Sequence, residues 1–495
     1  MLCLPALLIG ALLRIWFLAA IPEAYYGSDS PSYFEATAKL WTRNHGRTLF
    51  TEKRRWLYPM LLMPLPVLPI SPARTIPILQ SLLGLGTVFG IGWIAGNLTR
   101  LRAVWVPAVT ILAAISPKIL WYEHEVVAES VFLAMFVLAV ALAMPPGSLL
   151  DRKRLFWFLL AAAGVAALKP HGRGIWLGCA LYAVLVTGNP FAWGRRCWGA
   201  IVAALVIMLT SGERQQASWL LLDSTLPLVN LDGVKWREYR QALRPLVLQA
   251  RQELDQYAWA QQKYKKQLGD GNPATVDPVW ASLTNREEEY SEVCSGLGKE
   301  AVLAHPLTFA RLAITKIGIS FASPGHYLER MNPADFWRSQ QKQNADRWQG
   351  VRRQLHWFYG MDRPEYEEKV KERATRQNAT LPFLSAVSDS MVWMRDNTDA
   401  AGKHWLSPCW PLVLAVLGFL VCLTPSRFVA MSVLWLPTIL CLVSVHAIGD
   451  YNSQYVQPVE WVGLVLIAIG LDAFVQAGCS LAARLLPKRT PAPTL

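Results

Sequence analysis

Residues 75–97 read TIPILQSLLGLGTVFGIGWIAGN, without one charged side chain, and the stretch ends just before Arg100 and Arg102. A helix of about 20 apolar residues crosses the hydrocarbon core of a bilayer. Stretches of the same kind recur at roughly 2–21, 103–121, 126–145, 155–168, 174–188, 197–211, 406–424, 428–447 and 456–478. The pair 155–168 and 174–188 is short, and Lys169-Pro170-His171-Gly172-Arg173-Gly174 between them reads as a hairpin turn. The first stretch lacks a basic start and carries Arg14, so it reads as a retained helix and not as a cleaved signal peptide. The composition agrees: 53% of the 495 residues are hydrophobic and 17% charged, against about 25% charged in soluble domains. Disorder and a coiled coil are excluded, and the 22 Trp suit membrane interfaces. The expected fold class is an all-α polytopic membrane protein of about ten transmembrane helices, with a large, mainly helical extracytoplasmic region.

Basic residues orient the set. Arg100 and Arg102, Arg152-Lys153-Arg154, Arg195-Arg196, Arg427 and Lys488-Arg489 fall in alternate connections that carry almost no acid. Positive charge stays inside, so these connections and both termini are expected in the cytoplasm. The chain then divides into an N-terminal module, 1–211, an extracytoplasmic region, 212–404, and C-terminal helices with a short tail, 405–495. An interfacial amphipathic helix is expected at 301–321, where His305, Arg311 and Lys316 interrupt an apolar run. The net charge is +13, but regions 23–58 and 212–404 are each only +2. The excess is therefore a topology signal, and no nucleic-acid partner is expected. The eight Cys form no CxxC pattern and no disulfide framework, because most lie in apolar runs.

Only seven acids lie outside the two external regions: Glu123, Glu125, Glu129, Asp151, Asp450, Glu460 and Asp472. Ionisable groups at membrane depth usually face a cavity. Most of these, with Lys118, Lys169, His171, Arg173 and His446, map to the external side. That asymmetry favours an outward-facing active site over a transporter, whose site lies near the midplane.

The first external loop, 22–58, is the most specific piece. In Tyr25-Tyr26-Gly27-Ser28-Asp29-Ser30-Pro31-Ser32-Tyr33-Phe34-Glu35, Ser30-Pro31 predicts a helix start. Glu35 fits a capping box with Ser32. Asp29 precedes the helix and reads either as its cap or as a base toward an acceptor hydroxyl. The loop ends Glu52-Lys53-Arg54-Arg55-Trp56-Leu57-Tyr58-Pro59. Three consecutive cations outside the membrane read as a phosphate clamp or as attraction to anionic headgroups. Trp56 reads as an interface anchor, while Tyr33 and Tyr58 read as sugar-stacking or anchoring residues.

In succession, Gly27-Ser28-Asp29-Ser30, Arg55-Trp56-Leu57-Tyr58-Pro59, Gln80-Ser81-Leu82-Leu83-Gly84, Ser116-Pro117, Trp121-Tyr122-Glu123, Glu129-Ser130-Val131-Phe132 and Leu168-Lys169-Pro170 resemble the GT-C glycosyltransferases. The likeness is to family 39-like members, related to protein mannosyltransferases and the lipid A aminoarabinose transferase. It covers roughly residues 1–190, with echoes at 301–320 and at Gln454-Tyr455-Val456-Gln457-Pro458. The resemblance implies a GT-C type of helical membrane fold with an extracytoplasmic site in the inner membrane. It implies a polyprenyl-phosphate-linked sugar as donor, and inverting transfer to a lipid, glycan or protein acceptor. The family's first-loop acid matches Asp29, and a second polar group falls among Glu123, His124 and Glu125. Lys169 replaces the family's Arg before Pro170, and Gln454 replaces an Arg before Tyr455.

The expected catalytic residues are Asp29 and Glu123. Lys53, Arg54, Arg55, Lys169 and Arg173 are expected at the donor phosphate. Tyr33, Tyr58, His124, Glu125, His171 and Tyr455 are expected at the substrates. His171 also reads as a residue of the turn. No Asp-x-Asp pair accompanies the site, so no obligatory divalent metal or other cofactor is expected. Two other classes fit parts of the chain: a polysaccharide ligase or polymerase using a polyprenyl-diphosphate glycan, with Arg311, Lys316, His326 and Arg330 as its later-loop groups, and a membrane transporter.

Overall fold

The structure, a computed structural model, describes residues 2–20, 22–24, 30–41, 55–144, 150–210, 221–222, 225–255, 287–322, 368, 410–424, 427–448 and 453–485. In chain order the helices are α1 Leu4–Ala20, α2 Ser30–Trp41, α3 Leu57–Leu62, α4 Pro72–Leu98, α5 Arg102–Ala114, α6 Pro117–His124, α7 Glu129–Leu142 and α8 Arg152–Leu168. They continue with α9 Gly172–Thr187, α10 Arg195–Thr210, α11 Arg237–Asp255, α12 Glu287–Ala304, α13 Pro306–Ala322, α14 Trp410–Cys422, α15 Phe428–Ile448 and α16 Ser453–Leu485. Two of these, α4 and the part of α16 from Val459 to Ala482, are long and apolar enough to cross a membrane, and five further apolar helices are shorter.

The surface of the bundle is apolar where a soluble protein would be polar. On α1, Leu4, Leu8, Leu12 and Ile15 are exposed, as are Leu79, Leu82, Phe89 and Trp93 on α4. Contiguous exposed surface of this kind needs lipid as its solvent, so the chain is a membrane protein.

The expected stretch 103–121 is broken. α5 stops at Ala114 and α6 begins at Pro117, with Ser116 extended at φ −59°, ψ 117°. The proline ring disfavours helical geometry in the residue before it. The stretches 155–168 and 174–188 form two separate helices that pack on each other. The last stretch is longer than expected, at 33 residues.

Helix ends sort into two layers. At one, Arg14 donates to the Ala114 carbonyl (3.3 Å), Arg55 to that of Ala166 (3.0 Å) and Gln80 to that of Glu125 (2.9 Å). At the other, Asp472 of α16 accepts from the backbone N–H groups of Arg100 and Leu101 (2.9 and 3.0 Å) and from Trp105 Nε1 (3.2 Å). Asp151 caps α8 there by accepting from Arg154 N at 2.7 Å. α4 and α5 therefore run in opposite directions, as do α7 and α8.

The C-terminal helices close on the N-terminal module through α9 and α15. Gly174 and Gly178 lie four residues apart on α9, and a Cβ on either would come within 2.4 Å of α15 backbone at Leu440 or Pro437. Small residues at this spacing let two membrane helices approach backbone to backbone.

Within 212–404 the described part has its own small core, with Leu243 and Val247 of α11 packed with Val293 and Leu297 of α12. The buried guanidinium of Arg240 holds Glu300 at 2.6 Å. Over the expected 301–321 the chain is divided: α12 ends at Ala304 and α13 begins at Pro306, and α13 packs against α15 and α16.

Candidate functional site

α2 begins at Ser30, whose hydroxyl donates to the Val126 carbonyl at 3.0 Å. That bond draws the first loop onto the segment between α6 and α7. Thr37 continues the attachment by donating to Tyr33 O (2.8 Å) and Pro59 O (3.4 Å). Tyr33 and Tyr58 are thereby brought edge to face, 5.0 Å between ring centres, both buried.

Arg55 precedes α3 and reaches the last turn of α8, where its guanidinium meets the Ala166 carbonyl. Lys169, the residue after α8, pairs with Glu129 in the first turn of α7. The helix dipoles place both charges well, the cation at a C-terminus and the carboxylate at an N-terminus. Both are buried, so each would be costly without the other.

His171 occupies the position before α9 and makes no side-chain cap there. Its ring lies 4.7 Å from Phe132. Burial, then Lys169 and Arg55, hold its pKa well below the usual range, which leaves the imidazole neutral. Burial, then Tyr33, Glu129 and Glu125, hold the Tyr58 hydroxyl well above its ordinary value, so it remains a proton donor. Arg173 follows in the first turn of α9, half-buried. Two cations, Arg55 and Lys169, thus stand with two carboxylates, Glu125 and Glu129, and a neutral imidazole, and Arg173 lies two residues along from that imidazole.

Glu129 is the residue of this cluster missing from the expected set. A carboxylate opening an apolar helix needs a partner, and that signal was present in the sequence. Among the described residues, Tyr58 Oη, Glu129 Oε2, Gln80 Oε1 and Ser130 Oγ are buried with no hydrogen-bond partner. Buried polar atoms are nearly always bonded, so the cluster has unused capacity for a polar ligand.

Glu125 is fixed from two sides. Its carboxylate accepts from Trp121 Nε1 at 2.8 Å, and its carbonyl accepts from Gln80. Glu123 points elsewhere. Arg14 of α1 donates two bonds to its Oε1, at 2.6 and 3.1 Å, and also meets the Gly10 and Ala114 carbonyls. A Cβ at Gly84 of α4 would lie 1.7 Å from the same oxygen. Glu123 therefore sits in a slot between α1 and α4, where burial raises its pKa to about 7 against the pull of Arg14. His124 faces α1 as well, edge-on to Phe17 at 4.1 Å, with Nδ1 3.1 Å from the Leu120 carbonyl. Burial holds its pKa near 3.

Asp29, Lys53 and Arg54 lie outside the described residues. Tyr455 lies in the first turn of α16, and its side chain is likewise outside the description. Of the expected set, the structure brings together Tyr33, Arg55, Tyr58, Glu125, Lys169 and His171, with Arg173 two residues along, and it sets Glu123 and His124 apart from them. Among the described residues no three His, Cys, Asp or Glu side chains gather as metal ligands.

An apolar groove of about 860 Å³ starts at this cluster and runs between α4 and α7. Tyr58 and Gln80 line its polar end.

No family model matches the chain, and no curated protein is significantly similar to it. The chain aligns with the crystal structure of ArnT from Cupriavidus metallidurans in the apo state at 13% identity and a TM-score of 0.31, covering 99% of this chain and 82% of that one.

Proposed function

We propose that this protein transfers a sugar from a polyprenyl-monophosphate donor to a lipid, glycan or protein acceptor on the extracytoplasmic side of the inner membrane. The observation that carries this reading is the buried cluster of Arg55, Lys169, Glu129, His171 and Tyr58, with its unused hydrogen-bond capacity, at one end of a membrane bundle. The basic connections at the opposite end orient the cluster outward.

The reaction is a single displacement. Asp29 takes the proton of the acceptor hydroxyl. The oxygen attacks the anomeric carbon, and the bond from that carbon to the phosphate oxygen breaks with its electron pair on the lipid phosphate. Configuration inverts. Arg55 and Lys169, with Arg173 and the loop cations Lys53 and Arg54, meet the charge that develops on the leaving phosphate. Tyr58 donates a hydrogen bond, and Tyr33 packs beside it against the sugar. Glu129 holds Lys169 in place when no phosphate is bound. Glu123 neutralises Arg14 between α1 and α4 and has no step in this reaction.

The test is release of polyprenyl monophosphate from a polyprenyl-phosphate sugar by the purified protein with an acceptor-containing membrane extract. Lys169→Met is expected to lower turnover by about 10²-fold, the usual effect of removing one group that stabilises transition-state charge. The double variant Lys169→Met/Glu129→Gln removes both charges, and is expected to fold while remaining as slow. Full activity in the double variant sinks the assignment.

A further inference from the structure

Two helices of the N-terminal module begin side by side at the layer opposite the cluster. Cys197 Sγ donates to the Arg152 carbonyl at 3.7 Å, and a Cβ at Gly194 would lie 4.0 Å from Arg152 Cδ, so the start of α10 lies against the start of α8. Each start carries a pair of basic residues, Arg152 and Lys153 on α8 and Arg195 and Arg196 on α10, and all four are exposed. The connections that lead into them, 143–151 and 188–194, contain one acid, Asp151, and its carboxylate caps α8. None of the four cations makes an ion pair among the described residues. Arg154, the third basic residue of α8, behaves differently: it turns inward and donates to the Leu142 and Met144 carbonyls.

Cations at a helix N-terminus oppose its dipole, and four held together repel one another, so helix stability does not account for them. Membrane orientation asks only that the connections be basic. It does not ask that two pairs be packed against each other. Beneath the cations the surface turns aromatic. Trp157 lies five residues after Arg152 and Trp198 three after Arg195, both exposed. That is roughly 5–8 Å deeper at the helical rise, the level just under lipid headgroups where Trp rings settle. We propose that the paired starts of α8 and α10 bind an anionic lipid whose headgroup carries two phosphates bridged by glycerol, a diphosphatidylglycerol, in the leaflet opposite the cluster. One phosphate meets Arg152 and Lys153, and the other meets Arg195 and Arg196, across the about 8–10 Å that separates packed helix axes. Basic pockets between membrane helices suit such headgroups, and Arg forks match phosphate oxygens. The acyl chains lie along the exposed flank of α10 at Val202 and Leu205. The site requires only that the bundle lie in a membrane, and it stands or falls independently of the transferase reading.

Native mass spectrometry of the full chain in detergent, titrated with tetraoleoyl cardiolipin and separately with dioleoyl phosphatidylglycerol, tests this. The wild-type protein is expected to bind one cardiolipin about tenfold more tightly than phosphatidylglycerol. Arg152→Gln/Arg196→Gln takes one cation from each pair. It is expected to lose about tenfold in cardiolipin affinity and to keep the wild-type melting temperature in lipid-free detergent. Arg102→Gln removes another exposed cation of the same layer, at the start of α5, and is expected to change nothing. Equal affinity of the wild-type protein for the two lipids overturns the two-phosphate site. Wild-type cardiolipin affinity in the double variant overturns it as well. So does an equal loss in Arg102→Gln, because diffuse charge would then suffice. Where the double variant fails to fold, a photoreactive cardiolipin on the wild-type protein decides. Labelling confined to 152–157 and 191–202 supports the site, and labelling spread over other helices overturns it.

Discussion

Arg14 and Glu123 show how far a single residue's role depends on what faces it. Glu123 follows an aromatic pair in a segment between two apolar stretches, and its sequence context suits catalysis. Its partner is 109 positions away, and nothing local names it. The sequence did contain half of the signal, since a guanidinium inside an apolar helix has to be neutralised somewhere. Removing one member leaves the other buried and uncompensated. Glu123→Gln is expected to destabilise the protein by roughly 3–5 kcal/mol, and Arg14→Met/Glu123→Met to recover most of that, read by thermal denaturation in one detergent. A Glu123→Gln protein of wild-type stability but without turnover would return Glu123 to the chemistry. The buried histidines give a second expectation at this scale. His124 and His171 have depressed folded pKa values, so their contribution is present above the unfolded value near 6.5 and is lost as pH falls below it. Glu123 is raised to about 7 and acts in the opposite direction between its unfolded value of 4.5 and 7. Two histidines act against one carboxyl as pH falls from 6.5 toward 4.5, so the balance is a net loss of stability. A melting temperature that stays flat or rises from pH 7 to pH 5 would contradict the neutral imidazoles.

Elements were the most legible level, because hydropathy alone marks a helix that must face lipid. α4 was readable from 75–97 to within three residues at its start and one at its end. The break between α5 and α6 was not, since Ile119-Leu120-Trp121 continues the apolar composition past the proline that ends the helix. Helix pairing was also hidden. Two glycines on α9 are unremarkable in a membrane sequence until α15 is seen against them. Gly178→Ala should cost about 1–3 kcal/mol, because the new methyl meets Pro437 backbone, which cannot swing aside as a side chain can. Gly199→Ala on α10, where a Cβ meets nothing within 4 Å, should be neutral or slightly stabilising. Equal melting temperatures for the two variants would argue against the α9–α15 contact.

Across the whole molecule, two properties combine: an apolar bundle with exposed hydrocarbon on its flank, and a charged cluster confined to one layer of helix ends. The orientation expected from the sequence rests on counting basic residues between stretches. Motif order put Arg55 and Lys169 among the candidates, and the external-side set of ionisable groups added His171, but neither could pair Lys169 with Glu129. The distribution of charge explains why the net value of +13 misleads: little of it lies in 23–58 or 212–404, and most falls in the short connections between apolar stretches. The central claim is that this cluster handles a lipid monophosphate carrying one sugar. The most direct measurement is mass spectrometry of the lipids that copurify with Asp29→Asn, a variant expected to bind donor without consuming it. A polyprenyl monophosphate bearing a single sugar is the expected result. A polyprenyl diphosphate glycan, or bulk phospholipid alone, would contradict the account.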